Sequence, residues 1–275
     1  MADSSPLILD SGRSIKGASP SLVDRVQSLL MRWWFVVLLL AVWQVASSTS
    51  LLDPLFFPPP STLFATSLAM VGSGDLAPRM RDTLVRTAVG FLPGAIAGIL
   101  VGVAMGALTP VRRSLQPLIT ALYNIPKLTL LPMLMLLAGT GEAPRLILIS
   151  AVAFLQVAIH TLDGVRGISP HYVEMASHYG ANRWLMFRRV YLPASSPQVF
   201  TGLRLGIGRS LGIAVSSELL TGAGGLGGLV MRSWQTFAIE KLYVAVIVTA
   251  LLGALIHTVL RVMERRLLPW KVQHT

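Results

Sequence analysis

Cysteine is missing from the 275 residues. That excludes disulfides and thiolate metal sites. Charge is scarce, at 13% of residues, and acids are scarcer than bases, 12 against 23. No G-x-x-x-x-G-K-[ST] run occurs, so the chain carries no phosphate-binding P-loop of its own. No Ser/His/Asp set, paired carboxylates or metal cluster stands out. His160 is a lone histidine without a second ligand at metal spacing, which fits a hydrogen-bonded interface residue rather than a metal site. The net charge of +11 comes from basic residues beside apolar runs, with no nucleic-acid motif. Anionic lipid headgroups explain it better than nucleic acid does.

What the chain has is apolar length. Hydrophobic residues make up 53%, far above a soluble domain. The length accommodates about six membrane spans of ~20 residues with short loops. These predict an all-α integral membrane protein. The expected spans are 29–47, 83–108, 115–138, 145–163, 199–220 and 242–263, within a membrane domain over 29–272. Residues 1–28 are polar and read as a flexible tail. The first apolar run starts at Trp33 and Trp34, which suit an interface. Its leading region is too long for a cleaved signal and contains acids, so none is expected. Residues 51–60 are proline-rich and predicted to be extended. Residues 61–71 have helical spacing but are too short to span.

The second span carries Gly90, Gly94, Gly98, Gly102 and Gly106, one glycine every fourth residue. Such a ladder describes a groove of bare backbone where another helix packs closely. Residues 109–114 read as a tight basic turn. The third span is broken at Ile125 and Pro126, which is tolerated beside protein or a watery cavity. Asn124 and Lys127 flank that break, and the fifth span holds Arg209 and Glu218. Intramembrane charge marks a pathway by default, so these four are candidates for a translocation path. Arg209 and Glu218 lie ~13 Å apart along a helix axis and need separate partners. Gly222–Gly227 literally fits G-x-G-x-x-G. No strand–turn–helix unit surrounds it, so it reads as a tight loop rather than a dinucleotide site.

With six spans and both ends inside, the inner segments hold fourteen Arg and Lys. They are Arg13, Lys16, Arg25, Arg32, Arg112, Arg113, Arg166, Arg183, Arg188, Arg189, Arg261, Arg265, Arg266 and Lys271. The outer segments hold five, Arg79, Arg81, Arg145, Arg232 and Lys241. The positive-inside rule then places both termini in the cytoplasm.

Residues 164–197 form the longest polar insertion. Ser169 and Pro170 predict one short helix, Gly180 its left-handed stop, and Asn182 the cap of a second. Pro193 and Pro197 are expected to end that second helix before the fifth span. The run Glu174-Met175-Ala176-Ser177-His178-Tyr179-Gly180-Ala181, followed by Leu192-Pro193, resembles the EAA loop of bacterial ABC-transporter permeases. Met175 departs from the usual alanine. Further marks are Phe57-Pro58-x-Pro60, Leu84-Val85-Arg86, Ile125-Pro126, Gly139-x-Gly141-Glu142, Gly202-Leu203-Arg204-Leu205 and Glu218-Leu219-Leu220. They are similar to the nitrate, sulfonate and taurine branch, though Lys127 stands where members often carry a second proline.

The resemblance implies a type I ABC importer permease fold in the bacterial cytoplasmic (inner) membrane. It implies two permease copies, a homodimer, with two ATP-binding subunits and an external substrate-binding protein. Glu174, Met175, Ala176, Ser177, Gly180 and Ala181 would then couple to the ATPase. ATP and magnesium would be bound by that partner, and this chain is a transport subunit rather than an enzyme. The expected cargo is a small anion such as a sulfonate, nitrate or taurine, although the resembled branch also includes importers of neutral heterocyclic vitamins and their precursors. A self-sufficient secondary transporter or channel is the alternative, since broken helices and buried charge suit it too. A membrane scaffold without a pathway is a third reading.

Overall fold

The structure is a computed structural model that describes residues 22–268, with side chains described from Trp34 onward. The expected tail up to residue 21, the side chains of Arg25, Arg32 and Trp33, and Trp270 and Lys271 lie outside the described residues. The described chain divides into two units at Pro60 and Ser61.

The first unit is α1 (Leu22–Ser48) and the segment after it. Most α1 side chains from Trp34 to Val45 are apolar and exposed, as lipid-facing residues are. Residues 51–60 are not simply extended as expected. Asp53 organises a turn: its carboxylate accepts the Leu55 N–H at 2.9 Å, and its carbonyl accepts Phe56 and Phe57. A short acceptor side chain competes here with the extended path that proline favours.

The second unit is a helix bundle. Its elements are α2 (Pro60–Gly72), α3 (Leu76–Ala107), α4 (Thr109–Asn124), a 3₁₀ turn (Lys127–Leu130) and α5 (Leu131–Ala138). There follow α6 (Ala143–Arg166), α7 (Pro170–His178), α8 (Arg183–Met186), a π-helical turn (Phe187–Tyr191), α9 (Leu192–Thr221), α10 (Leu226–Gln235) and α11 (Ile239–Leu267). No strand occurs among the described residues.

Helices α3 and α6 run parallel along the glycine ladder. A Cβ at Gly90 would meet Ile149 at 2.7 Å, one at Gly98 the Phe154 carbonyl at 2.9 Å, and one at Gly102 Thr161 at 2.6 Å. Gly94 faces the Ser150 carbonyl and Gly106 faces Val165 just as closely. The Ser150 hydroxyl adds a 2.6 Å bond to the Gly90 carbonyl, a bond that bare backbone permits. Helix α9 lies antiparallel across both, with Gly202 against His160 and Gly206 against Phe91 and Val157. The core between them is Phe91, Ala95, Ala153 and Val157.

One expected turn proves helical, and the expected break lies where the sequence put it. Residues 109–114 are the first turns of α4, not a loop. Leu108 alone is extended, and Pro110 sits where a helix start accepts it. Between α4 and the turn that leads to α5 the chain bends by 91° at Ile125 and Pro126. Ile125 is held extended by the following proline. Among the described residues, four helices are long and apolar enough to cross a membrane, or five with the bent pair as one span. Trp34–Ser48 of α1 is an apolar helix shorter than a span.

Candidate functional site

The polar insertion folds into an elbow. Pro170 opens α7, but the Ser169 side chain makes no cap bond, contrary to expectation. Proline at the first position supplies the start without it. The stop follows the expected chemistry. Gly180 has φ +74°, its N–H reaches the Ser177 carbonyl at 2.9 Å, and Ala181 N–H reaches Ala176 at 3.0 Å. Those paired bonds close the last helical carbonyls and require the left-handed residue. Asn182 caps α8, accepting the Leu185 N–H at 2.8 Å.

The second helix does not stop at Pro193. It passes through the π turn, where Leu192 N–H donates to Phe187, straight into α9. The wider turn and nearby hydroxyls absorb what proline removes. Ser195 and Ser196 donate to the Tyr191 and Pro193 carbonyls at 2.6 and 2.7 Å, and Thr201 to Pro197 at 3.0 Å.

No residue of α7 is buried. Glu174, Met175, Ser177 and Gly180 are exposed, with Ala176 and Ala181 half-buried. Tyr172 and Tyr179 stand out at 65% and 87% exposure, which leaves an apolar-edged knob uncovered by the described residues. The base is anchored: Met186, Phe187 and Tyr191 line a recess with Leu100, Val103 and Ala107 of α3.

A second feature sits at the bend. A cavity of about 480 Å³ is lined by Tyr123, Lys127, Gln156 and Arg209 among apolar neighbours. The Lys127 ammonium donates to the Tyr123 carbonyl, in the last turn of α4, where free carbonyls favour a cation. Arg209 donates to the Tyr123 hydroxyl at 2.5 Å, and that hydroxyl faces Gln156 Oε1 at 3.4 Å. Gln156 Nε2 lies 2.8 Å from His160 Nε2, so His160 is a hydrogen-bonded packing residue. Both cations lie over the Tyr123 ring, at 5.0 and 5.4 Å from its centroid. Of the four path candidates, Lys127 and Arg209 line this cavity. Asn124 does not; its amide donates to the Thr120 carbonyl at 2.9 Å. Tyr123 and Gln156 were missed by sequence reasoning, although a lone glutamine inside an apolar span was a usable signal.

Glu218 belongs elsewhere. It is wholly buried where the start of α3, the start of α6 and the end of α9 meet. Its carboxylate accepts from the Thr83 hydroxyl at 2.8 Å, from the Gly227 N–H at 2.9 Å and from Arg86. Arg86 in turn grips Glu142 with two bonds of 2.7 and 2.9 Å, and Arg145 reaches Glu142 at 2.8 Å. The glycine run therefore cradles a carboxylate of its own chain. Gly225 has φ +103°, and any Cβ there would strike the Glu218 carboxylate. The N-terminus of α10, which the sequence had hidden in a loop, points at the same charge. At the rim, hydrogen bonding to Arg86 holds the Glu142 carboxyl below its ordinary range. No group of three or more metal-ligating side chains occurs among the described residues.

Membrane-length helices, a broken one bordering a cationic cavity, and an exposed elbow between two others define a multi-pass membrane transport component. A model of the family described as "Binding-protein-dependent transport system inner membrane component" matches residues 94–269, and the chain belongs to that family. It is a permease component of an ABC importer. Over 234 residues it is 31% identical to the taurine transport system permease protein TauC of Escherichia coli (strain K12), covering 83% of this chain and 85% of that one. Over 187 residues it is 30% identical to the nitrate import permease protein NrtB of Leptolyngbya laminosa, covering 68% and 67%. Among solved structures, a bacterial ABC transporter involved in the import of the acidic polysaccharide alginate matches with a TM-score of 0.61 at 18% identity. That match covers 88% of this chain and 99% of that one, and it concerns the fold alone.

Proposed function

We propose that this chain is the membrane-spanning half of an ATP-driven importer. Two copies, a homodimer, pair with two ATP-binding subunits and receive solute from an external binding protein. ATP and magnesium are held by the partner ATPase. The chain sits in the cytoplasmic (inner) membrane with six spans, α1 and the bent pair included. Both termini are cytoplasmic, and of the polar segment 1–28 the part from Leu22 onward belongs to α1 rather than to a flexible tail. The coupling segment over 164–197 presents Glu174, Met175, Ala176, Ser177, Gly180 and Ala181 to the ATPase.

The observation that carries this reading is the elbow. A helix with no buried residue, edged by exposed Tyr172, Met175 and Tyr179, needs a cleft to cover it. Its rigid Gly180 stop and anchored base make it a knob rather than a loose loop. ATP-driven closure would move the two knobs and shift the bundle between outward and inward access. The cargo is a small anion such as a sulfonate, nitrate or taurine. The names of relatives and the cations of the cavity support that class.

A self-sufficient carrier is the second reading, favoured by the bent pair. Co-purification separates them. The importer reading expects an ATPase to be retained in mild detergent. It also expects Glu174→Lys or Gly180→Val to lower ATP-dependent uptake at least about tenfold, the cost of straining or repelling one docking contact. An unaffected double variant, or uptake that follows an ion gradient with no ATPase attached, sinks it.

A further inference from the structure

Two cations facing one cavity need an explanation. The other arginines inside the bundle have carboxylate partners: Arg86 with Glu142 and Glu218, Arg145 with Glu142, Arg204 with Glu264. Lys127 and Arg209 form no ion pair among the described residues, and no carboxylate lines their cavity. Among the described residues each makes one hydrogen bond, both to Tyr123, which leaves most of their N–H donors for a ligand. The Tyr123 ring, over which both lie, attracts each of them.

The rest of the wall is of the opposite character. Ile125, Leu128, Val152, Leu155 and Ile213 surround the charged pair. Gly212 leaves the cavity wide, since a Cβ there would meet nothing within 4 Å. The volume of about 480 Å³ falls in the range of small-molecule pockets, roughly 300–1,000 Å³. A bare inorganic anion would satisfy the cations and leave this aliphatic wall wet. A neutral molecule would leave both charges unpaired. Only an anion with an apolar body answers both halves.

We infer that this cavity is a binding site for a small organic oxyanion, with its charged head between Arg209 and Lys127 and its carbon body on the aliphatic wall. The inference rests on the importer reading and narrows its cargo, because it makes the permease itself select for an organic anion over nitrate. Gly212 sets the length of body admitted.

The test uses the full chain co-purified with its ATPase in nanodiscs. Saturation-transfer NMR reads binding of 1-butanesulfonate, with nitrate and 1-butanol as competitors. 1-Butanesulfonate should bind, and nitrate and butanol should each displace it at least about tenfold less effectively. Arg209→Gln should weaken it about tenfold or more, as expected for a lost charge-assisted hydrogen bond. Arg209→Lys should restore part of it, and Gly212→Leu should abolish it. Retained ATPase and an unchanged melting profile serve as the folding control for each variant. Equal displacement by nitrate, or a titration indifferent to both Arg209→Gln and Lys127→Gln, overturns the inference. A complex that retains its ATPase yet ignores 1-butanesulfonate also overturns it and leaves the importer reading intact. A chain that retains no ATPase overturns the importer reading instead.

Discussion

At Glu218 a carboxylate with no solvent exposure is held by a hydroxyl, a backbone N–H and an arginine. Its stability depends on every one of those partners, because an unpaired charge at that depth is costly. Arg86→Met should therefore destabilise the chain by about 3–5 kcal/mol, the usual cost of breaking a buried pair from one side. Melting of the purified protein in detergent measures it, and a loss under about 1 kcal/mol would mean that Glu218 is not dependent on the pair. Arg86, Glu142 and Glu218 were each conspicuous in the sequence as separate marks. Nothing local said that they meet, since they lie 56 and 132 positions apart from Arg86. The same holds for Lys127 and Arg209, which sequence separation hides until the 3₁₀ turn after α4 and helix α9 border one cavity.

Among elements, the glycines divide by what they face. The ladder of α3 was legible because helical spacing is local arithmetic, and a run of bare positions on one face admits few readings. Gly94→Val should prevent α3 and α6 from closing and remove most folded protein, since even a Cβ would overlap the Ser150 carbonyl. Gly208→Ala in α9 should be tolerated and gain up to about 1 kcal/mol, because its Cβ position is open and alanine is the better helix former. Yields by size-exclusion chromatography, followed by melting, test the pair; equal outcomes would contradict the packing. The junction of α8 and α9 was not legible. Local rules make Pro193 a stop, and only the π turn with the Ser195, Ser196 and Thr201 hydroxyls carries the helix through. Helix α10 was hidden for a similar reason. Its glycines suggest a loop until Thr83 and Glu218 accept the Leu226 and Gly227 N–H groups that open it.

For the molecule as a whole, the absence of cysteine gives a direct test of the proposed topology, since any introduced thiol is the only one. Tyr179→Cys should react with an impermeant maleimide only in inverted vesicles, and Gly141→Cys only in intact cells. The reverse pattern would put the elbow on the side without ATP. The all-α fold class was readable because apolar length acts over whole segments. The depth of each residue was not, because it depends on how helices lean on one another.

The unbroken path from Arg183 to Thr221 has a mechanical result. At ~1.5 Å per residue it is roughly 58 Å long. It carries the Arg209 cavity partway along and ends at the Glu218 cradle. Without a joint beneath the membrane, a crank at the near end has nowhere to lose its torque. Twist entering below Arg183 arrives at the mouth of the cavity and at the far cap together, so the two should turn as one shaft rather than in sequence.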